Sequence, residues 1–183
     1  MPIPLPVAVA RGSAALPSDP RETWAAFVAR RDALVARMEM ATCDGCDGCG
    51  QRCIAGFTVT AEEYAAVQAH LATRPAAEVA RVLNQNKVAP WPGDDAGTGA
   101  TFTFCRYRDR DHDNCFVYPA RPTVCRLFGH TPWLPCPIEA VSHVPADSPA
   151  LWNDYQSRER RTWEDWERGF AASKKEKASA CAE

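Results

Sequence analysis

The chain has 183 residues, 46% of them hydrophobic, and a formal net charge of −2. This is the composition of one ordinary globular domain that can bury a core, and the absence of basic clusters excludes the surface of a nucleic-acid-binding protein. No apolar run approaches the roughly 18 residues of a membrane-spanning helix, so no membrane partner is expected.

The first ten residues lack the features of an export signal. Pro2, Pro4 and Pro6 interrupt their apolar stretch, and no basic residue precedes it. We therefore expect a cytoplasmic protein with reduced cysteines; if the chain were exported, the same cysteines would instead form a disulfide framework. The predicted organisation is an N-terminal extension (1–18), a single domain (19–172, motif core 43–136) and a disordered tail (173–183).

The first predicted helix begins at Asp19 and Pro20, an N-cap followed by proline at the first helical position. Its apolar face then recurs at helical spacing and comprises Trp24, Phe27, Val28, Leu34, Val35 and Met38. This helix leads the chain to the first group of cysteines.

Three further helices are predicted. A capping box formed by Thr60 and Glu63 begins the second, which runs to about Leu71. Pro75 restarts a third, and Ser148-Pro149 begins the last. The residues predicted to face inward are Tyr64, Val67 and Leu71, then Val79, Val82 and Leu83, and finally Trp152, Tyr155, Trp163, Trp166 and Phe170.

The centre of the chain has short elements only. Residues 84–100 are rich in Asn, Pro, Gly and Asp, which predicts a loop. Residues 101–107 and 115–118 are β-prone and flank the charged run 108–113, which indicates a small hairpin. The predicted fold class is therefore mainly α with a small β-hairpin and irregular Cys-rich loops.

The first cysteine group has the spacing C-x-x-C-x-x-C-x-x-x-C and consists of Cys43, Cys46, Cys49 and Cys53. Bacterial ferredoxins use this run for an iron–sulfur cluster, although Ile54 stands where they have proline and no second copy occurs. Thiols this close together in a reducing compartment are typical metal ligands.

The second group is separated by nine, nine and ten intervening residues and consists of Cys105, Cys115, Cys125 and Cys136. Such gaps favour ligands presented by separate elements. We predict that all eight cysteines bind zinc or iron and staple one compact domain, with Cys181 apart. Arg52, Arg106 and Arg126 each neighbour a cysteine and would offset thiolate charge; the alternative is that they are solvated.

Other candidates have simpler interpretations. His112 and His130 lie within the second group but are expected to be surface histidines, and the alternating Asp109, Asp111 and Asp113 are expected to form a solvated hairpin tip rather than a site for a hard cation. No Gly-rich phosphate loop or nucleophile elbow is present, so no catalytic residue is predicted.

Three further stretches accompany the first cysteine group, namely Phe104-Cys105, Cys115-Phe116-Val117-Tyr118 and Arg121-Pro122-Thr123-Val124-Cys125-Arg126-Leu127-Phe128. With them the chain resembles the CxxCxxCC zinc- or iron-chelating domain, also called the YkgJ-type cysteine cluster family, over residues 43–136. The adjacent Cys-Cys of that family is missing here, since Gly50-Gln51-Arg52 separates Cys49 from Cys53. The resemblance implies chelation of zinc or iron, and a related domain occurs in flagellin lysine methylases.

Three functions follow as hypotheses. The first is a metal-binding protein that chelates zinc or iron through eight thiolates, in a structural or metal-handling role. The second is an iron–sulfur redox or electron-transfer protein, and the third is an accessory domain of a protein-modifying enzyme. A catalytic zinc would need an open coordination position, which eight cysteines for two ions would not leave. No protein partner is identified by the sequence.

Overall fold

The computed structural model describes residues 22–38, 53–91, 97–136, 138–139, 141 and 144–180, with side chains as far as Ser173. The α-helices in these residues are α1 (Trp24–Val35), α2 (Ala61–Ala72), α3 (Ala76–Leu83), α4 (Thr123–Leu127), α5 (Ser148–Ser157) and α6 (Trp163–Ala180), with a 3-10 helix at Tyr118–Ala120. The strands are β1 (Val88–Pro90), β2 (Thr101–Thr103), β3 (Arg108–Asp109), β4 (Asn114–Cys115), β5 (His130–Thr131) and β6 (Leu134–Pro135).

The strands form three antiparallel pairs, β1 with β2, β3 with β4, and β5 with β6. The prediction of a mainly helical chain with small antiparallel pairing is therefore confirmed, whereas the metal staple stays a prediction. The N-terminal extension at 1–18 lies outside the described residues. The domain boundary at 172 also stays a prediction. The backbone of α6 continues past this residue to Ala180.

Buried side chains form two apolar clusters. The first apolar cluster joins α2 and α6 to the cysteine-bearing segments and consists of Val59, Tyr64, Val67, Leu71, Cys105, Tyr107, Val117, Trp163 and Trp166. The second apolar cluster joins α1, α4 and α5 and consists of Phe27, Leu34, Met38, Leu127, Leu151 and Tyr155. The apolar faces predicted for the first three helices all pack against one of these clusters.

Helix α1 begins later than predicted. Glu22 and Thr23 are not helical, and the Thr23 hydroxyl caps the helix by accepting a hydrogen bond from Ala26 N at 3.2 Å. Glu22 instead pairs with Arg30 at 2.8 Å and with Arg158 at 3.2 Å. A charged residue that was expected inside the first turn therefore ties the start of α1 to the end of α5.

The predicted last helix is two helices, so that prediction is wrong. Arg158 leaves α5 in an extended conformation (φ −78°, ψ 154°), and Arg161 exchanges both backbone hydrogen bonds with Val59, at 2.9 and 3.0 Å. Thr162 then caps α6 by accepting from Asp165 N at 3.2 Å. The break allows the two aromatic faces to pack on different clusters.

The predicted hairpin also has different partners. Strand β2 pairs with β1, in the register Val88↔Thr103, although β1 falls in the stretch predicted to be a loop. Residues 108–109 and 114–115 form their own hairpin across the charged run. Local composition missed β1 because its pairing is set by a partner more than ten residues away rather than by its own sequence.

Glu63 connects the two clusters. Its side chain is 4% exposed, and it completes the predicted capping box by accepting from Thr60 N at 3.1 Å. The same carboxylate accepts from Thr123 N at 2.6 Å and from the Tyr155 hydroxyl at 2.7 Å. One buried residue therefore holds the first turns of α2 and α4 and the last turn of α5 together.

None of the described helices combines the length and apolar character needed to cross a membrane.

Candidate metal centre

Cys53 and Cys105 lie side by side. Cys105 N donates to Cys53 O at 2.8 Å, the next residues form an antiparallel bridge between Ile54 and Phe104, and Ala55 N donates to Thr103 O at 2.8 Å. The two thiols are hydrogen-bonded to each other. The segment that leaves the first cysteine group therefore runs along β2 and brings Cys53 to the first member of the second group.

The β3–β4 hairpin brings Cys115 to the same place. Arg108 N donates to Cys105 O at 2.9 Å, which makes a tight turn into β3. Cys115 is then directly opposite Arg108 in the hairpin. Nine intervening residues are thus folded back on themselves, as expected for ligands presented by separate elements.

Cys125 is carried by α4. Thr123 is the first residue of this short helix, and its backbone N–H is held by Glu63. Leu127 packs in the second apolar cluster on the far side of the helix. Cys125 therefore has its position set both by the buried carboxylate and by the α1–α4–α5 core.

The pKa values show that these four thiols influence one another. The hydrogen bond from Cys105 lowers the pKa of Cys53, and the same bond together with burial holds that of Cys105 well above its usual value. Burial raises the pKa of Cys115 to about 11, and burial raises that of Cys125 as well; the charge of Cys53 adds to both. We call Cys53, Cys105, Cys115 and Cys125 the thiol cluster.

Most of the cations around the thiol cluster are not those predicted from neighbouring positions. Arg108, Lys87 and Arg121 are the charges that lower the pKa of Cys53. Arg108 is 4% exposed and also pairs with Asp113. Their positions follow from pairing and turn geometry: Arg108 faces Cys115 across the hairpin, so only the strand register could have identified it.

Of the three arginines named from the sequence, Arg126 interacts electrostatically with Cys125, whereas Arg106 lies elsewhere. Arg106 pairs with Glu167 on α6 at 2.9 Å, and Arg126 donates to the carbonyls of Arg121 and Pro119 at 2.9 and 2.7 Å. Arg52 lies outside the described residues. Arg106 therefore forms a salt bridge to α6 instead of the expected interaction with thiolate charge.

The remaining predicted ligands are only partly covered by the structure. Cys136 is half-buried and follows β6, whereas Cys43, Cys46, Cys49 and Cys181 lie outside the described residues. Cys53, Cys105, Cys115 and Cys125 are not paired in disulfides. The grouping of all eight thiols around a metal therefore stays a prediction.

The donor set of the thiol cluster fits zinc or iron, because sulfur ligands select zinc and iron–sulfur clusters over hard cations. Three of its thiols hold their protons more tightly than usual, and a bound cation would displace those protons, since the metal ligand is the thiolate. Within the described parts of the chain, however, no three Cys, His, Asp or Glu side chains form a group that could hold a metal ion. The thiol cluster alone is therefore not a complete coordination shell.

Two of the expectations for polar residues are wrong. His130 is 2% exposed and so is not a surface histidine. Asp109 is 2% exposed rather than solvated, and it pairs with Arg81 at 2.6 Å. His112 is exposed, as expected, with its Nδ1 2.8 Å from Asp109 Oδ2. The alternation of signs in this run indicated a solvated tip, but α3 covers one side of it.

A match to the family described as "CxxCxxCC: Putative zinc- or iron-chelating domain" covers residues 45–167. This range contains the whole thiol cluster and extends through α5 to the first turn of α6. Comparison with curated proteins gives no significant match, and neither does comparison with solved structures. Since the match covers well over half of the chain, this protein belongs to the CxxCxxCC family of zinc- or iron-chelating domains.

Proposed function

We propose that this protein chelates zinc or iron through its eight clustered cysteines, in a structural or metal-handling role in the cytoplasm. The observation that carries the proposal is the convergence of Cys53 from the first group with Cys105, Cys115 and Cys125 from the second. Cys53 is the last cysteine of the first group, so one end of that group belongs to the thiol cluster. The four members of the thiol cluster are also not paired in disulfides, as a metal site in a reducing compartment requires.

The surroundings of the thiol cluster support a cationic occupant. Burial and the negative charge of a neighbouring thiolate make it costly to deprotonate the remaining thiols. A bound zinc or iron ion would offset that cost. Arg108 and Arg121 would then compensate the net negative charge that four thiolates leave on a divalent ion. The charges of both arginines lower the pKa of Cys53.

The decisive experiment is anaerobic purification of the full chain, followed by elemental analysis and an absorption spectrum. Stoichiometric zinc in a colourless protein, or iron bound with thiolate-to-metal charge-transfer bands, supports the proposal. A protein that contains neither metal, and that takes up neither after reduction under anaerobic conditions, contradicts it.

A second function is an iron–sulfur redox or electron-transfer protein, which the ferredoxin-like spacing of Cys43 to Cys53 favours. The same preparation distinguishes it, because an iron–sulfur protein is brown and contains acid-labile sulfide in proportion to its iron. The third hypothesis, an accessory domain of a protein-modifying enzyme, has no described side-chain arrangement in its favour.

A further inference from the structure

A cleft of about 570 Å³ opens beside the thiol cluster. Cys115, His70 and His112 all contribute to its walls, and we call it the His112 cleft. Cys115 is only half-buried, whereas Cys105 is buried. The cleft therefore provides access from solvent to Cys115, a half-buried member of the thiol cluster.

His112 is oriented in this cleft by a carboxylate. Its Nδ1 lies 2.8 Å from Asp109 Oδ2. Because a carboxylate oxygen accepts, the ring donates from Nδ1, and in the neutral ring this leaves the lone pair on Nε2. Asp109 is itself fixed by Arg81 at 2.6 Å and Gln85 at 3.0 Å. A carboxylate that orients an imidazole in this way is the usual support of a metal-binding histidine.

The charged side chains that line the cleft pair with one another, so the lining carries no net positive charge that would repel an incoming cation. Its two arginines are both neutralised, Arg74 by Glu78 at 2.8 Å and Arg81 by Asp109 at 2.6 Å. His70 lies in the last turn of α2, where the helix dipole favours positive charge. A comparable cleft between α2, α3 and α6 has no cysteine in its walls.

We propose that the His112 cleft is the path by which the metal ion reaches the thiol cluster, with the His112 imidazole as its first, transient ligand. The proposal rests on the proposed function of metal chelation and adds the route to it. The ion is held only weakly on the way, because the described residues offer no group of three donors there. It then passes to the Cys115 thiol in the same cleft.

The test measures the rate at which the metal-free, reduced full-length chain takes up Co²⁺, a spectroscopic substitute for zinc. Rapid mixing under anaerobic conditions follows the sulfur-to-cobalt charge-transfer band as thiolates bind. For His112→Gln we expect the rate constant to fall roughly tenfold, the lower end of the loss that follows from removing a supporting residue of a metal site. The final amplitude and the bound cobalt should equal those of the parent chain.

Asn114→Ala is the matched control, because Asn114 lines the same cleft without an imidazole. It should load at the parental rate. If His112→Gln loads as fast as the parent, or is slowed no more than Asn114→Ala, the route through His112 is wrong. If His112→Gln lowers the final cobalt content, His112 is a resident ligand and the transient role is wrong. If the parent itself binds no cobalt, the chelating function fails before the route is at issue.

Discussion

At the scale of single residues, Cys105 combines two roles that are usually separate. It is buried in the first apolar cluster beside Tyr107 and Trp163, and its thiol is hydrogen-bonded to Cys53. A structural thiol of the core is normally inert. Here the buried position instead fixes a sulfur at the contact between the two cysteine groups.

The first prediction follows from that position. Replacing Cys105 with serine should weaken zinc binding at least ~10- to 100-fold, the loss that follows even from removing a supporting residue of a metal site. Competition with a chelator of known affinity measures the change. Cys181→Ser is the control, since Cys181 is predicted to lie apart from the site. Equal affinities for the two variants would remove Cys105 from the ligand set.

Glu63 is the residue whose importance the sequence indicates only in part. The capping box with Thr60 is a local pattern and was predicted correctly. Its bonds to Thr123 and Tyr155 span 60 and 92 residues along the chain, and no local pattern encodes them. Burial and the charge of Glu63 together hold the pKa of Tyr155 far above its usual value, so the hydroxyl remains a donor.

The second prediction concerns Glu63→Gln. The amide keeps the shape of the side chain but turns one acceptor towards Thr123 N or Tyr155 Oη into a donor, which should cost about 1–3 kcal/mol in the free energy of unfolding. The urea midpoint of the metal-free chain measures the loss. Glu62→Gln, one position away and exposed, should leave the midpoint unchanged, and a similar shift in both variants would rule out the buried network as the cause.

At the scale of elements, the β3–β4 hairpin is fastened to α3 by charge rather than by apolar contact. Asp109 at the end of β3 pairs with Arg81 on α3 and with His112 in the hairpin turn. These interactions, led by Arg81, hold the pKa of Asp109 well below its usual range. Because Cys115 lies in the partner strand, this attachment also fixes one thiol of the cluster.

The third prediction is the pH dependence of that attachment. A carboxylate whose pKa is lowered by folding stabilises the protein above its unfolded pKa of about 3.9 and loses that contribution as pH falls towards the folded value. Asp109→Asn should therefore be less stable than the parent by about 1–3 kcal/mol at pH 7, less than for a fully buried pair because Arg81 remains partly hydrated.

Urea denaturation of the metal-free chains from pH 7 down to pH 2 measures this difference. The gap between Asp109→Asn and the parent should stay constant down to about pH 4 and then narrow. Asp111→Asn is the control, since Asp111 meets the same arginine but is 59% exposed. A gap that already narrows at pH 6 would assign the effect to another group.

The elements themselves were predictable where their signals are local. The cap of α2 and the apolar faces of α1 to α3 follow from spacing, and the structure has them. The break between α5 and α6 was missed because the aromatic spacing continues across it, while the cause is a backbone exchange between Arg161 and Val59. In the same way the sequence predicts the cysteines of the candidate site but not Arg108 and Arg121, whose charges reach Cys53 through pairing and turns.

At the scale of the whole molecule, the two apolar clusters divide the described residues into parts that we expect to depend on metal to different degrees. The thiol cluster shares side chains with the first apolar cluster, through Cys105, Cys53 and Cys115. The second is built from α1, α4 and α5, and its core of Phe27, Leu34 and Leu151 contains no cysteine. Removing an ion from the thiols should therefore affect the two clusters unequally.

The fourth prediction is that chelation loosens residues 101–136 and the first turn of α6 while leaving α1 and α5 protected. Metal binding contributes directly to folding where the site does not exist in the unfolded chain, and a two-stranded hairpin is marginally stable alone. Amide hydrogen exchange with and without chelator measures it. Uniform protection after verified removal of the metal would indicate a preformed site that releases its ion without unfolding.

The division of tryptophans between the clusters gives the protein an internal optical probe. Trp163 and Trp166 lie in the first apolar cluster together with Cys105, whereas Trp24 and Trp152 pack against the second. Excitation energy passes from an indole to a coloured or paramagnetic centre more efficiently the closer the two are. Iron bound at the thiols would therefore quench Trp163 and Trp166 more strongly than Trp24 and Trp152, so that intrinsic fluorescence reports metallation without any attached dye.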